Sequence, residues 1–239
     1  MAGQSRKRIT GISGNGLKGI AVCAMIIDHF AVVILLHLYY ERILEETGPF
    51  VIIYTLMRGI GRLAFPIFAF LLTEGFIHTR NVKGYLLRMG VFALISEVPF
   101  DFAIFGKVVD FSAQNVFLTL FLGLFTIYLI KKWENRMVLQ ILAASFGITV
   151  SWGIRADYGG VGVILILAFY LFRYQKWERM ASGAGAIVCM IESKLEICYL
   201  AALPVISLYN GTRGRGGKYF GYWFYPVHLA VLAGIRMMI

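Results

Sequence analysis

Along this chain, apolar runs of 12 to 28 residues alternate with short polar connectors. An α-helix needs about 20 apolar residues to cross a hydrocarbon core about 30 Å thick. On that criterion nine segments are predicted as membrane helices: Leu17 to Tyr39, Phe50 to Ile77, Gly84 to Phe105, Val116 to Ile130, Val138 to Trp152, Gly160 to Phe172, Met180 to Ile191, Ile197 to Tyr209, and Tyr219 to Met238. The fourth to eighth are nearer 15 residues, which predicts tilted or kinked helices, extension by polar flanks, or one re-entrant pair. The expected fold class is all-α: a polytopic integral membrane protein of about nine transmembrane helices. It forms one domain over residues 1–239, with residues 1–16 as a short basic tail. No internal repeat of fixed period is visible, which argues against a transporter built from duplicated halves.

Composition agrees with the pattern. With 59% hydrophobic and 15% charged residues and a mean hydropathy of +0.74, the chain is too apolar for a soluble domain. Its net charge of +10 would suit a nucleic-acid binder, but the basic residues occur in short clusters between apolar runs, as the positive-inside rule requires of membrane loops. With a cytoplasmic N-terminus, 16 Lys and Arg residues fall on the inner side, 5 on the outer side, and Arg58 and Arg62 within the second span. That asymmetry predicts an odd number of spans and an external C-terminus. Trp133, Trp152, Tyr158, Trp177, Tyr222 and Trp223 sit at span ends, where aromatic belts anchor helices. Arg6-Lys7-Arg8 before an apolar run resembles a signal peptide, but the run is too long and has no small-x-small cleavage site. It is expected to remain as the first helix. Cys23, Cys189 and Cys198 have no paired spacing, so neither a disulfide framework nor a metal site is expected.

Polar residues at membrane depth carry the candidate chemistry. At about 1.5 Å per residue, Asp28 and His29 fall near the midplane of the first span, Arg62 near that of the second with Arg58 one turn further out, and His228 near that of the ninth. Glu97 lies on the outer side of the third span. An ionised side chain at the bilayer centre costs about 2.5 to 3.5 kcal/mol on insertion scales, so these groups are expected to face one another or a water-filled cavity. One reading is structural: an ion pair, Asp28 with Arg62 or Glu97 with Arg58, holding the bundle in register. His29 asks for more, although a lone core histidine bonded to a carbonyl is the commoner case. Adjacent helical residues point about 100° apart, so Asp28 is expected to turn toward Arg62 while His29 faces the cavity. An imidazole near neutral pH suits general-base work on a hydroxyl or amine, with arginines to stabilise an oxyanion.

Three further stretches matter. Pro66 is expected to kink the second span, whose cytoplasmic end carries Glu74 and His78, both read as an interfacial helix end. Tyr209 to Lys218 is a glycine-rich basic loop whose N–H groups, Arg213 and Arg215 are candidates for phosphate contact; Gly11 to Gly16 receives no role. Arg155 to Gly160 makes an external polar turn, by default a helix start capped by Asp157 and otherwise part of an acceptor entrance.

Taken together, Ala24-Met25-Ile26-Ile27-Asp28-His29, Gly61-Arg62-Leu63-Ala64-Phe65-Pro66 with Glu74-Gly75-Phe76, Ala93-Leu94-Ile95-Ser96-Glu97-Val98-Pro99-Phe100, Asn115-Val116-Phe117-Leu118-Thr119-Leu120, Asp157-Tyr158-Gly159, Leu208-Tyr209-Asn210-Gly211 with Arg213-Gly214, and Tyr225-Pro226-Val227-His228-Leu229 resemble, in order, the successive motifs of the TraX family. That family takes its name from a conjugative-plasmid protein responsible for N-terminal acetylation of F-type pilin. It is grouped with transmembrane acyltransferases that use cytoplasmic acyl-CoA. The resemblance implies a bacterial inner-membrane acetyltransferase with acetyl-CoA as donor and no metal. It places catalysis on His29 with Asp28 and Arg62 in support, donor contacts on Arg58, Asn210, Arg213 and Arg215, and substrate contacts on Glu97, Glu74 and His228. The acceptor would be a protein N-terminus such as that of pilin, or a surface glycan. Partners are the bilayer and acetyl-CoA, with no nucleic acid, and a homodimer is compatible. The rival reading is a transporter or flippase for a small anionic or glycan substrate, with Asp28, His29 and Arg62 binding the anion or relaying protons.

Overall fold

Polar residues before the apolar runs start the helices. Ser13 accepts a hydrogen bond from the Gly16 N–H at 3.2 Å, Asn81 from Gly84 at 2.7 Å, and Asn115 from Phe117 at 2.9 Å. Each bond satisfies one of the N–H groups that a first helical turn leaves without a partner. In the computed structural model, which describes residues 11–41, 48–217 and 219–239, the order is α1 (Gly14–Phe30), a π turn (Ala31–Leu35), α2 (Leu36–Tyr40), α3 (Gly48–Gly61), α4 (Ala64–His78), α5 (Val82–Phe105) and α6 (Val116–Lys132). It continues with α7 (Met137–Gly153), α8 (Gly159–Leu171), α9 (Lys176–Val188), a 3-10 segment (Lys194–Ala201), α10 (Ala202–Ser207) and α11 (Phe220–Arg236). The expected basic cluster Arg6 to Arg8, Arg42 and Lys218 lie outside the described residues.

The fold is all-helical, with no strand among the described residues and only two isolated backbone bridges, Ile12 with Tyr209 and Gln114 with Ala156. Among the described residues, counting α1–α2, α3–α4 and the 3-10 segment with α10 as single rods, nine helical rods lie over the nine apolar segments. Two of them, Gly14–Tyr40 and Gly48–His78, are long and apolar enough to cross a membrane; Met137–Gly153 and Gly159–Leu171 are apolar but shorter.

The break between α3 and α4 falls at Arg62–Leu63, four residues before Pro66. Proline has no N–H to offer the carbonyl of Arg62, so the chain tightens there instead, and Leu63 N–H turns to Ile60 at 3.1 Å.

The core is apolar and aromatic, with Phe65, Phe70, Phe76, Phe169, Leu124, Ile127 and Ile166 fully enclosed. α6 packs against α5, α7 and α8, and α11 lies along α5. Outside this core the helices stay apolar. Leu87, Val91, Leu94 and Val98 form an exposed stripe on α5, Ile52, Leu56 and Ile60 on α3, Val138, Leu142 and Phe146 on α7, and Val227, Val231 and Ile235 on α11. These spacings of three and four residues keep each stripe on one helix face, so apolar faces point both inward and outward.

Backbone sutures tie the two ends of the bundle. At one end, Ile12 N–H donates to Leu208 at 2.8 Å, Asn210 to Ile12 at 3.0 Å, Gly14 to Thr212 at 2.8 Å and Asn15 to Arg213 at 2.9 Å. Gly11 to Gly16, given no role from sequence, is therefore the dock for the glycine-rich loop. Gly214, at φ +74°, lies so close to Ser13 that a Cβ would overlap its side chain. At the other end, Arg236 Nη1 donates to the carbonyl of Ala103 at 2.9 Å, near the end of α5.

The loop that follows α5 is organised by Asp110. Lys107 Nζ donates to Asp110 Oδ2 at 2.8 Å and the Ser112 N–H to Oδ1 at 2.8 Å. The Lys107 bond first, and then those from Ser112, hold the Asp110 carboxyl down at about 2. A carboxyl held below its unfolded value, about 3.9, contributes stability that is present above that value and lost as pH falls through about 2. Asp110→Asn is therefore expected to lower the thermal midpoint of the detergent-purified protein at pH 6. The gap from the unsubstituted protein should close as the pH is taken from 5 to 2; a gap that does not vary with pH would contradict this account.

Candidate functional site

The site begins where α1 and α3 cross. Gly61 permits the crossing, because a Cβ there would overlap both the Cβ and the carboxylate of Asp28. Gly59, two residues earlier, lets the same helix approach Cys198 of the 3-10 segment, whose Sγ would lie 3.3 Å from an added Cβ. Small residues of this kind let helix backbones pack closely. The crossing brings Arg58 Nη1 to 2.6 Å from Asp28 Oδ1, with side chains only 17% and 16% exposed. Removing one partner of a buried ion pair costs about 3–5 kcal/mol, so this contact fixes the register of α1 on α3.

Neither ion pair expected from sequence forms. Asp28 pairs with Arg58 rather than Arg62, because Gly61 puts α3 directly against Asp28 while Arg62 lies past the end of α3, in the break. Arg62 Nη1 instead donates to the Tyr199 hydroxyl at 3.2 Å, with its guanidinium carbon 5.4 Å from the centre of the Tyr199 ring. Glu97 does not reach Arg58 either. It accepts from the amide of Asn115, which is fully buried and donates its other N–H to the Ala93 carbonyl at 2.8 Å. Glu97 thus joins α5 to the start of α6, away from the arginines.

The two histidines meet. His29 Nδ1 lies 2.6 Å from His228 Nε2, with the ring planes within 10°. The hydrogen-bond direction follows from the next partner along. His228 Nδ1 is 2.9 Å from the carbonyl of Phe224, and a carbonyl only accepts, so His228 carries its proton on Nδ1. With both imidazoles neutral, its Nε2 is then an acceptor, the shared proton is donated by His29 Nδ1, and His29 keeps a bare lone pair on Nε2. His29 and Asp28 make no bond to each other, as their angular separation on the helix requires. The helix widens into the π turn from Ala31, just after His29; such widenings are frequent at functional sites.

A cavity of about 580 Å³ opens from the end of the bundle sutured by Gly11 to Gly16. Lys18, Arg80, Arg88 and Arg213 line it together with apolar Val22, Met25, Leu71, Met89, Phe117 and Leu120. Tyr225 also lines it, and the Tyr225 ring packs at 6.0 Å from His29 and 5.6 Å from His228. Lys18, Val22, Met25 and His29 are spaced by four, three and four residues, so one face of α1 runs from the basic group to the histidine over about 16 Å of helix rise.

The other candidates are distributed as follows. Arg213 lines the cavity, whereas Arg215 is exposed and does not. Asn210 is turned inward: its Oδ1 accepts from the Thr212 N–H at 3.0 Å and hydroxyl at 2.7 Å, and its Nδ2 donates to Gly11 at 3.3 Å. It shapes the loop instead of presenting its amide to a ligand. Arg58 is likewise committed to Asp28. Glu74 lines the cavity but is clamped by Arg179 at 2.7 Å, and is more than the interfacial helix end expected of it. Asp157 does not cap α8, whose start has no side-chain bond. Lys18, Arg80, Arg88 and Tyr199 were not singled out as site residues from sequence, and Tyr225 entered only within the motif around His228; of the first four, Lys18 left a signal, its helical spacing to His29.

An all-helical bundle with an ion pair and a histidine pair inside, and a basic-mouthed cavity reaching toward them, is the class of protein these residues define. Comparison with known proteins is more specific. The family described as TraX protein matches residues 13–236, and the chain belongs to that family. It is also similar to the "Probable fimbrial assembly protein FimC, serogroup H1" of Dichelobacter nodosus, at 29% identity over 253 residues covering 93% of this chain and 95% of that protein. No solved structure matches the chain.

Because the Asp28 register depends on the missing side chain at position 61, Gly61→Ala is expected to destabilise the protein by about 1–3 kcal/mol, the usual cost of overpacking. The thermal midpoint in detergent should fall by several degrees. Gly234→Ala, where an added Cβ meets nothing within 4 Å, should leave it within about a degree. Equal effects of the two substitutions would refute the close-crossing account.

Proposed function

We propose that this chain is a polytopic membrane acetyltransferase, crossing the bacterial inner membrane about nine times with its N-terminus in the cytoplasm. The outward apolar stripes on α3, α5, α7 and α11 support the membrane reading, since water would penalise them and lipid would not. The unequal loop charges support the orientation. In that orientation Lys18, Arg80, Arg88 and Arg213 lie on the cytoplasmic side, where acyl-CoA is found.

The observation that carries the enzymatic reading is the orientation of the histidine pair. Phe224 orients His228, His228 orients His29, and His29 Nε2 is left as a base, beside a tyrosine that lines the cavity. This is a base held by a second group that is itself oriented by a third. Acetyl-CoA would lay its phosphates among Lys18, Arg80, Arg88 and Arg213 and its pantetheine arm along the Val22–Met25 face, bringing the thioester toward His29. His29 Nε2 takes a proton from the acceptor amine or hydroxyl as its N or O attacks the thioester carbonyl. Arg62 steadies the oxyanion. Collapse breaks the C–S bond, and the leaving thiolate recovers the proton from His29, giving acetylated acceptor and free CoA. The resemblance of the chain to a fimbrial assembly protein supports an acceptor associated with surface filaments, a pilin N-terminus or a surface glycan.

The test is acetyl transfer from labelled acetyl-CoA by detergent-purified protein. His29→Ala is expected to lower the rate by about 10²–10⁴-fold, the usual worth of a positioned base, with normal membrane insertion. His228→Ala should cost less, because it removes only the orienting partner. Loss of acetyl-CoA binding on replacing Lys18 and Arg213 with Gln would place the donor in the cavity. Failure to bind acetyl-CoA, together with solute movement in proteoliposomes, would favour the transporter reading.

A further inference from the structure

A second cavity, also of about 580 Å³, lies at the same end of the bundle as the first. The end of α4 separates them: Glu74 and His78 line both, Leu71 and Gly75 line only the first, and Phe76 and Ile77 only the second. The remaining walls come from the end of α6, the start of α7, and the end of α8 with the residues that follow it. Its size falls within the about 300–1,000 Å³ typical of small-ligand sites, and the proposed transfer chemistry makes no use of it.

The charged groups on its wall are held in place but not paired. Arg173 lies between two rings, its guanidinium carbon 4.3 Å from the centre of Tyr170 and 4.2 Å from that of Tyr174. Its Nη1 donates to the Tyr170 carbonyl at 2.8 Å and its Nη2 to the Tyr174 hydroxyl at 2.5 Å. Those bonds fix the planar fork with two of its five N–H groups and leave three to spare. From α6, Lys131 brings a second positive charge, with Nζ 5.5 Å from the centre of the Phe76 ring. Glu134, one turn after Lys131, adds a carboxylate to the same wall. Among the described residues, none of these three side chains forms an ion pair. Arg173 and Glu134 both lie within electrostatic range of the Tyr170 hydroxyl, yet they do not close on each other. The other acid of the wall, Glu74, is already matched by Arg179 at 2.7 Å.

In the proposed orientation this end of the bundle lies at the cytoplasmic surface of the membrane. Two of the lining side chains, Ile77 and Leu171, are 37% and 51% exposed, and Tyr174 is 81% exposed. An opening edged by apolar and aromatic side chains at that depth faces the level where lipid headgroups meet acyl chains. We propose that this cavity binds the headgroup of an aminophospholipid of the inner leaflet. Its phosphodiester lies against Arg173 and Lys131, its ammonium against Glu134, and its chains leave past Ile77 and Leu171. The separation of the charges selects this occupant. A phosphate alone, or a headgroup with only negative charge, would meet the two cations but be repelled by Glu134. A primary ammonium brings both a positive charge and N–H donors to that carboxylate, whereas a quaternary ammonium has no N–H to give. The inference rests on the membrane part of the proposed function and on none of its transfer chemistry.

The test uses full-length, detergent-purified protein stripped of lipid and titrated with phosphatidylethanolamine, phosphatidylcholine or phosphatidylglycerol of identical chains. Bound lipid is counted by native mass spectrometry, and acetyl-CoA binding is measured on the same samples. Phosphatidylethanolamine is expected to bind about 3–10-fold more tightly than either of the others. Glu134→Gln should remove that preference, and Glu134→Asp should keep part of it, both with unchanged acetyl-CoA affinity and thermal midpoint. Replacing Lys131 and Arg173 together with Gln should weaken all three lipids. Glycerophosphoethanolamine, the same headgroup without chains, should bind more than about 10-fold more weakly than the lipid; equal binding would replace the lipid by a soluble phosphate ester. Equal binding of the three lipids, a preference for phosphatidylglycerol, or a preference unchanged in Glu134→Gln would each overturn the assignment. Failure of the membrane reading would appear separately, as protein recovered from the aqueous fraction of cells without detergent.

Discussion

The contact on which the site depends is the ion pair between Asp28 and Arg58, and the pair depends on the hydrogen atom that stands for a side chain at Gly61. Two charges that are five-sixths enclosed are stable only when neither is left alone. That requirement aligns α1 with α3. Once it is met, His29 is carried to the side of α1 that meets α11, and Arg62 emerges at the break before α4. The ion pair belongs to the architecture and, on the acetyltransferase reading, the histidines belong to the chemistry, although Asp28 and His29 are neighbours in sequence.

The bundle separates its polar functions along its length. At the end sutured by Gly11 to Gly16, four basic residues and Glu74 share the wall of a cavity with apolar side chains. In the middle, hydrogen bonds run in one direction from His29 to His228 to the Phe224 carbonyl. At the opposite end Tyr158, stacked on Phe65, pins a turn that carries Asp157. The proposed acetyltransferase reading needs such a division, because two substrates entering by one route would exclude each other. The proline-induced break and the π turn lie next to the central groups, where a regular helix would not leave side chains and backbone free to rearrange.

Much of this was legible in the sequence. The nine apolar segments coincide with nine helical rods among the described residues because hydrophobic runs and their Ser, Asn and Gly punctuation are local properties. The special status of Asp28, His29, Arg58, Arg62 and His228 was legible too, because an ionisable group inside an apolar run needs a partner. The identities of the partners were not. Asp28 was expected to face Arg62, and depth along the helix axes allows either arginine; only the closeness permitted at Gly61 selects Arg58. Glu97 was assigned a substrate or an arginine, and a buried asparagine at the start of α6 holds it instead.

The sequence by itself determined which segments are helices, where they begin, which one breaks, and which few polar groups the apolar runs enclose, since each follows from residues within a turn or two of one another. The tertiary structure alone decided that His29 bonds to a histidine 199 residues away, that Lys18, Arg80, Arg88 and Arg213 share one cavity, and that a turn between α7 and α8 sits beside Arg62. These are contacts between different helices. They depend on crossing distances set by single small residues, and no periodicity along one helix records the distance to the next.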